Sequence, residues 1–208
     1  MDHHDATFAG MIEAGFEARE VHRRRGIDFS QYLNDLQAAG DGIARVGSQR
    51  LPRGLRKNTF LMFDFHRFFL PLVLSKFSED ASLEWCFWVE DDCSFAGRDA
   101  TIASQVLACA ASLRASGACW MGYSRRKGAP RYQSHLVALS RTGAEAMAEH
   151  LDETAQAAKR AGDHLTYLEG LDTFLYKAQK TTKYGRPLVV AAPTSMARQR
   201  KHTRVGRN

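Results

Sequence analysis

The sequence is most constrained by a continuous apolar run that ends abruptly in three acids. Residues 85–89 are Trp-Cys-Phe-Trp-Val, and Glu90, Asp91 and Asp92 follow directly. A short run of this composition predicts a strand that is buried on both faces. In open α/β sheets, such strands deliver polar side chains at their carboxyl ends, where ligands bind. The pattern therefore predicts a central sheet with a functional site at the end of this strand.

Helical and strand-like patterns alternate along the rest of the chain. Helices are predicted over residues 5–14, over 59–77 with a kink near Pro71, over 99–116, from a capping box at Thr142 and Glu145, and over 164–178. Further strands are predicted over 16–21, 118–122, 135–139 and 187–190, with a short helix after Ser30 and a loop over 40–58. This alternation predicts the α/β class, with a central mixed, mainly parallel sheet flanked by helices. One domain is expected over residues 1–196, followed by a basic C-terminal tail over 197–208.

Several classes of protein are excluded by composition. Among the 208 residues, no apolar run reaches the roughly 18 needed to span a bilayer. The first five residues lack the basic and apolar pattern of a signal peptide, so a cytoplasmic protein is expected. A zinc site or redox pair is not expected, because the four cysteines show no Cys-x-x-Cys spacing. Cys86, Cys109 and Cys119 are instead predicted to be core residues.

The net charge of +6 is concentrated in clusters of Arg and Lys. These clusters lie at residues 19–25, 50–57, 125–131 and 198–207. Such clusters suit a phosphate-bearing partner, either a nucleotide or a nucleic acid, although a basic surface that only aids solubility is the alternative. Arg125 and Arg126, which follow a predicted strand, are candidates to hold phosphate.

The three acids at 90–92 indicate a metal site. Adjacent carboxylates repel one another and are costly to desolvate, and a divalent cation removes that cost. Their oxygen ligands suit Mg²⁺ or Mn²⁺, which also bridge substrate phosphates. A solvated acidic turn is the alternative interpretation of the same residues.

The apolar strand followed by Glu-Asp-Asp resembles a motif of GT-A glycosyltransferases, in particular of the family that contains lipopolysaccharide glycosyltransferases and collagen galactosyltransferases. Three more segments occur in the order of that family. Residues 133–144 resemble its Gly-Thr-His-Ala-Tyr…Ser-x-x-Gly-Ala segment, residues 167–175 its Pro-Val-Asp-x-x-Leu segment, and residues 187–195 its Pro-Leu-Val…Ser segment. The resemblance covers residues 85–196. It implies a single GT-A-like (Rossmann-like) domain and an enzyme that transfers a sugar from a nucleotide-sugar, with a UDP-sugar as the expected donor, to an acceptor hydroxyl.

The resemblance also implies roles for the acids. Asp92 would bind Mn²⁺ or Mg²⁺. Glu90 would bind either the ribose of the donor or the metal, directly or through a group bound to the metal. Asp91 would lie against the donor. His202 would be a further metal ligand, because many GT-A enzymes supply a histidine near the C-terminus; a polar tail residue is the alternative.

Asp172, and after it Glu169, lie where the family places a general base for the acceptor hydroxyl. The spacing of three residues would put both on one helical face. Asp172 also interrupts an apolar helical series, where burial of an acid with a purely structural role would cost free energy. The alternative interpretation is an acid on the helix face that pairs with an Arg. His135 is expected beside the site at the start of a strand, with a hydrogen-bonded core histidine as the alternative.

The acceptor and two other functions are left open by the sequence. The basic clusters suit a nucleic-acid acceptor, such as a hydroxymethylated base in DNA that leaves the stack to react. A glycan or protein hydroxyl is the conventional acceptor. The other functions are a nucleic-acid-binding module without catalysis and a metal-dependent nuclease or phosphotransferase.

Overall fold

The computed structural model describes residues 3–16, 62, 65–90, 93–95, 102–113, 117–126, 128–161 and 170–199. The strand predicted over 16–21, apart from its first residue, lies outside them. So do the helix after Ser30 and the loop over 40–58. Among the described residues, no helix is long and apolar enough to cross a membrane.

Helices and strands alternate through the described residues. The helices are α1 (His3–Glu13), a π-helical turn (Phe65–Phe69), α2 (Leu70–Glu79), α3 (Ile102–Ser112), α4 (Arg141–Arg160) and α5 (Leu171–Ala178). The strands are β1 (Cys86–Val89), β2 (Cys93–Phe95), β3 (Ala118–Arg126), β4 (Ala129–Leu139), β5 (Thr182–Lys183), β6 (Arg186–Pro187), β7 (Val190–Ala191) and β8 (Ala197–Gln199). The mixture of helix and strand that the sequence predicts is confirmed.

The central sheet has four strands in the order β1-β4-β3-β7. It is mixed, as predicted, but the prediction of a mainly parallel sheet is wrong for the described strands. Both β1 and β3 pair with β4 antiparallel, and only β7 pairs with β3 in parallel. The strands β3 and β4 pair antiparallel because the connection between them is short and includes Gly128, whose φ of 84° suits a tight turn. Such a connection joins antiparallel strands, whereas parallel neighbours need a long crossover.

The strand directions bring three carboxyl ends to one edge of the sheet. Since β1 and β3 both oppose β4, they run in the same direction, and β7 runs with them. The residues that follow β1 and β7, together with the end of β3, therefore share this edge. It is the edge at which open α/β sheets commonly bind ligands.

The strand β1 is covered on both faces by aromatic side chains. The ring of Trp88 lies 5.6 Å from that of Phe65 and 5.1 Å from that of Phe69. The ring of Phe87 lies 6.2 Å from that of Phe16, just after α1. Because neighbouring residues of a strand point to opposite faces, the π-helical turn and the end of α1 lie on opposite sides of the sheet. The strand is covered on both faces, but all four of its residues are only partly buried, so the prediction of a strand buried on both faces is wrong. The reason is that β1 is the outermost strand of the described sheet.

Two predicted helix starts are corrected by the structure. In the segment predicted as a helix over 59–77, the π-helical turn precedes α2, which carries Pro71 at its amino-terminal end and continues to Glu79. Proline fits there because the first helical turn does not need its N–H. The capping box at Thr142 is wrong in register, because Ser140 caps α4: its hydroxyl accepts a hydrogen bond from the N–H of Gly143 at 3.2 Å.

The cysteines lie in the core, as predicted. Cys119 is fully buried on β3, and Cys86 and Cys109 are half-buried. Burial raises the pKa of Cys86 to about 11 and also raises the pKa of Cys119, because the thiolate loses its hydration. These thiols are therefore poor nucleophiles and poor metal ligands.

The beginning of the predicted tail belongs to the fold. Residues Ala197–Gln199 form β8, which pairs antiparallel with β2, and Ala197 is fully buried. Residue 197 is thus not the start of a tail. The pairing joins Cys93 to Gln199, so the chain returns to the segment that follows the three acids.

Candidate functional site

Glu90 lies directly after β1, and its carboxylate is held on both oxygens. The imidazole of His135 donates from Nδ1 to Oε2 at 2.6 Å, and the hydroxyl of Ser134 donates to Oε1. The Glu90 side chain is 10% exposed and the His135 side chain 3%. The backbone N–H of Glu90 donates to the carbonyl of His135 at 3.1 Å. Main-chain and side-chain bonds thus fix Glu90 in one orientation.

An irregularity in β4 explains how two consecutive residues contact the same carboxylate. In a regular strand, Ser134 and His135 would point to opposite faces. Here the pairing between β3 and β4 shifts register, and Gln133 has a φ of 72°. Such a bulge redirects side chains and is common beside active sites. The indole of Trp120 stabilises it by donating to the carbonyl of Gln133 at 2.9 Å.

The chain turns tightly after Glu90. The carbonyl of Glu90 accepts a hydrogen bond from the N–H of Cys93 at 3.0 Å, which spans the two acids between them. Asp91 and Asp92 themselves lie outside the described residues. Since Cys93 begins β2, which is held by β8, both ends of the acidic segment are anchored in paired strands.

Asp172 lies in the first turn of α5 and is half-buried. Its carboxylate accepts a hydrogen bond from the N–H of Thr173 at 2.8 Å. An acid is favourable here, because the amino end of a helix carries partial positive charge. The argument that a structural acid would be costly at this position is therefore wrong, since the buried face is formed by Leu171 and Leu175 instead.

Glu169 lies outside the described residues. The prediction of one continuous helix through 164–178 is wrong. Gly170 is extended, with a ψ of 149°, and α5 begins at the next residue, Leu171. The shared helical face proposed for Glu169 and Asp172 has no support, because it needs helical backbone at Gly170.

Arg125 and Arg126 lie near the end of β3, opposite Pro130 and Ala129 of β4. The Arg125 side chain is exposed, and its guanidinium donates to the carbonyl of Pro193 and, at 3.3 Å, to the hydroxyl of Tyr123. The structure describes only the backbone of Arg126. Neither residue contacts Glu90 through a described hydrogen bond.

The predicted metal ligands are described only in part. Of Asp92, Glu90 and His202, the structure describes Glu90 alone. Among the described residues, no three His, Cys, Asp or Glu side chains converge as a metal site would require. The metal site therefore stays a prediction.

The sequence analysis missed Ser134, which holds one oxygen of Glu90. The only local signal was a polar residue next to His135, directly before the apolar residues 136–139. Its contact with Glu90 depends on a pairing between residues 44 positions apart, which no local pattern reveals. The sequence matches no protein-family model and no curated protein. Its function is therefore argued from the residues themselves.

Proposed function

We propose that the chain is a metal-dependent glycosyltransferase that moves a sugar from a nucleotide-sugar to an acceptor hydroxyl. One observation carries the proposal: Glu90, whose side chain is 10% exposed, is held by Ser134 and His135 at the carboxyl end of β1, directly before Asp91 and Asp92. The resemblance of residues 85–92 to GT-A glycosyltransferases leads us to expect acids directly after such a strand.

The anchoring of Glu90 favours a site over a solvated acidic turn. Burying a carboxylate costs several kcal/mol unless protein groups replace its hydration. A turn that served only as a connection would leave its acids in water and need no such network. Here a bulge, a histidine and a serine all contribute to holding one carboxylate at the sheet edge where Asp91 and Asp92 follow.

Each acid has a separate role in this proposal. Asp92, with His202, would hold Mn²⁺ or Mg²⁺, which neutralises the diphosphate leaving group when bound. Glu90 orients the acidic segment, because its two oxygens are already hydrogen-bonded to the protein. His135 positions Glu90 through its hydrogen bond. Asp91 would lie against the donor.

Asp172 is the proposed general base that takes the proton from the acceptor hydroxyl. Its half-buried place in the first turn of α5 leaves the carboxylate accessible while the helix packs against β4. A carboxylate that accepts one backbone hydrogen bond still has lone pairs for an acceptor hydroxyl.

Thermal stability in the presence of nucleotide-sugars tests the proposal. A UDP-sugar or UDP should raise the melting temperature with Mn²⁺ present and should have little effect without it. Asp92→Asn should remove this Mn²⁺-dependent rise, whereas Glu145→Gln, at an exposed acid on α4, should retain it. An Asp92→Asn protein that keeps the full Mn²⁺-dependent rise would show that these acids do not bind the metal.

A further inference from the structure

An open groove of about 380 Å³ lies where β7 runs beside β3. Its walls are largely apolar and include Pro130, Pro187, Val190, Ala191 and Pro193. Of the described residues that line it, only Arg125 is charged. The groove thus offers one fixed cation beside an apolar surface.

Arg125 is held in place although it is exposed. Its guanidinium donates to the carbonyl of Pro193 and to the hydroxyl of Tyr123, and it lies 5.8 Å from the centre of the Tyr123 ring. Tyr123 is in turn buried and donates to the carbonyl of Ala192. A side chain held in this way loses little conformational entropy when an anion binds.

Two further cations, both exposed, lie next in the chain to residues that line the groove. Arg186 precedes the lining residue Pro187, and Lys180 follows the lining residue Gln179. Several cations in succession suit a ligand with repeated negative charges better than one with a single phosphate.

We propose that the groove binds a single nucleic-acid strand. Arg125 contacts a phosphate, and the apolar walls contact the adjacent sugar and base. Lys180 and Arg186 contact neighbouring phosphates through charge, which is the main source of affinity for nucleic acids.

The position of the groove relative to Glu90 also indicates the role of the bound nucleic acid. Arg125 pairs with Pro130 of β4, and Glu90 bonds to His135, five positions further along the same strand. Measured along β4, these two positions are about 16 Å apart. A nucleic acid bound in the groove can extend to Glu90, so the bound nucleic acid is the sugar acceptor. This last step rests on the proposed function, whereas the binding of the strand does not.

Binding of a short labelled oligothymidylate, without donor or metal, tests the inference. Arg125→Gln should weaken binding about fivefold near 0.1 M salt and make the salt slope shallower by about 0.7, the contribution of one phosphate contact. Arg160→Gln removes the same charge at an exposed position at the end of α4 and should change neither quantity. Equal effects of the two variants, or no effect of either, would overturn the inference.

A second pair of variants covers the case in which Arg125→Gln disturbs the fold. Pro187→Glu adds an acid to the exposed wall of the groove, and Leu72→Glu adds the same charge on α2, where Leu72 is 44% exposed. Only Pro187→Glu should weaken binding. A sulfated glycan that binds more tightly than the oligonucleotide, with the same loss in Pro187→Glu, would instead assign the groove to another polyanion. The oligonucleotide-binding assay contains neither donor nor metal. Its result is therefore independent of whether the protein shows Mn²⁺-dependent binding of the donor.

Discussion

Nδ1 of His135 lies 2.6 Å from Oε2 of Glu90, although 45 positions separate the two residues in the chain. The contact joins the end of β1 to a bulge in β4, and the hydroxyl of Ser134 completes it. A buried carboxylate with two protein donors is stable only while both donors remain in place. The stability of the domain and the geometry of the proposed site therefore depend on the same hydrogen bonds.

Replacement of His135 should destabilise the protein. His135→Ala leaves the Glu90 carboxylate buried without one of its donors, at a cost of about 3 kcal/mol. His135→Asn should recover part of this loss, because the amide nitrogen of Asn can take the place of Nδ1. Urea unfolding at neutral pH measures both. If His135→Ala is as stable as the parent protein, the hydrogen bond to Glu90 is not made in solution.

Asp172→Asn should separate catalysis from folding. Loss of a general base typically lowers turnover by about 10²–10⁴-fold. The structural cost should stay at about 1 kcal/mol, since the interaction of an acid in the first turn of a helix with the helix dipole typically contributes that much. Turnover, donor affinity and melting temperature are measured together. Normal turnover, or a protein that unfolds, would assign Asp172 a structural role.

Gly143→Ala should be among the most damaging single substitutions at this end of the sheet. A Cβ at this position would overlap the backbone of Gly117, which cannot move away because its carbonyl accepts the N–H of Ser140 at 2.8 Å. We expect a loss of at least about 3 kcal/mol in the free energy of unfolding, although alanine favours helices by about 1 kcal/mol over glycine.

Ser140→Ala is the matched comparison for Gly143→Ala. It removes the cap of α4 and the hydrogen bond from the Ser140 hydroxyl to the carbonyl of Gly117, for which the expected loss is about 1–2 kcal/mol in total. Chemical denaturation of both variants ranks the two losses. A Gly143→Ala protein that is no less stable than Ser140→Ala would contradict the close backbone packing.

His66 should make stability depend on pH. Burial lowers its pKa below the ordinary value of 6.5, and this effect exceeds the opposing attraction of Asp152, whose carboxylate lies 3.0 Å from Nε2. As the pH falls below 6.5, the unfolded chain takes up a proton before the folded chain does. The free energy of unfolding should therefore fall from about pH 6.5 down to the folded pKa, by at most about 1.4 kcal/mol per pH unit.

His66→Gln should flatten this part of the profile, measured by denaturation at several pH values. Some dependence should remain, because burial also lowers the pKa of His150. A profile that is unchanged in His66→Gln would show that His66 does not titrate with unfolding.

The parts of the fold that the sequence predicted are those set by local periodicity. The apolar run at 85–89 predicted β1 and the acids at its end. The spacing of Ala144, Met147, Ala148 and Leu151 predicted the inward face of α4. Three of the four are buried, and Ala148 is partly buried and packs against the core. Side chains of one period share one face of a helix or strand, so these features need no knowledge of distant residues.

The sequence by itself determined the alternation of helix and strand and the place of the acids after β1. Only the tertiary structure decided that the sheet is largely antiparallel, that Ser134 and His135 both contact Glu90, and that Pro193 holds Arg125. The physical reason is that each of these depends on which strands pair and in which register. Pairing is set by the summed packing of the whole sheet, and a bulge at Gln133 changes which side chains meet without leaving a local signal in the sequence.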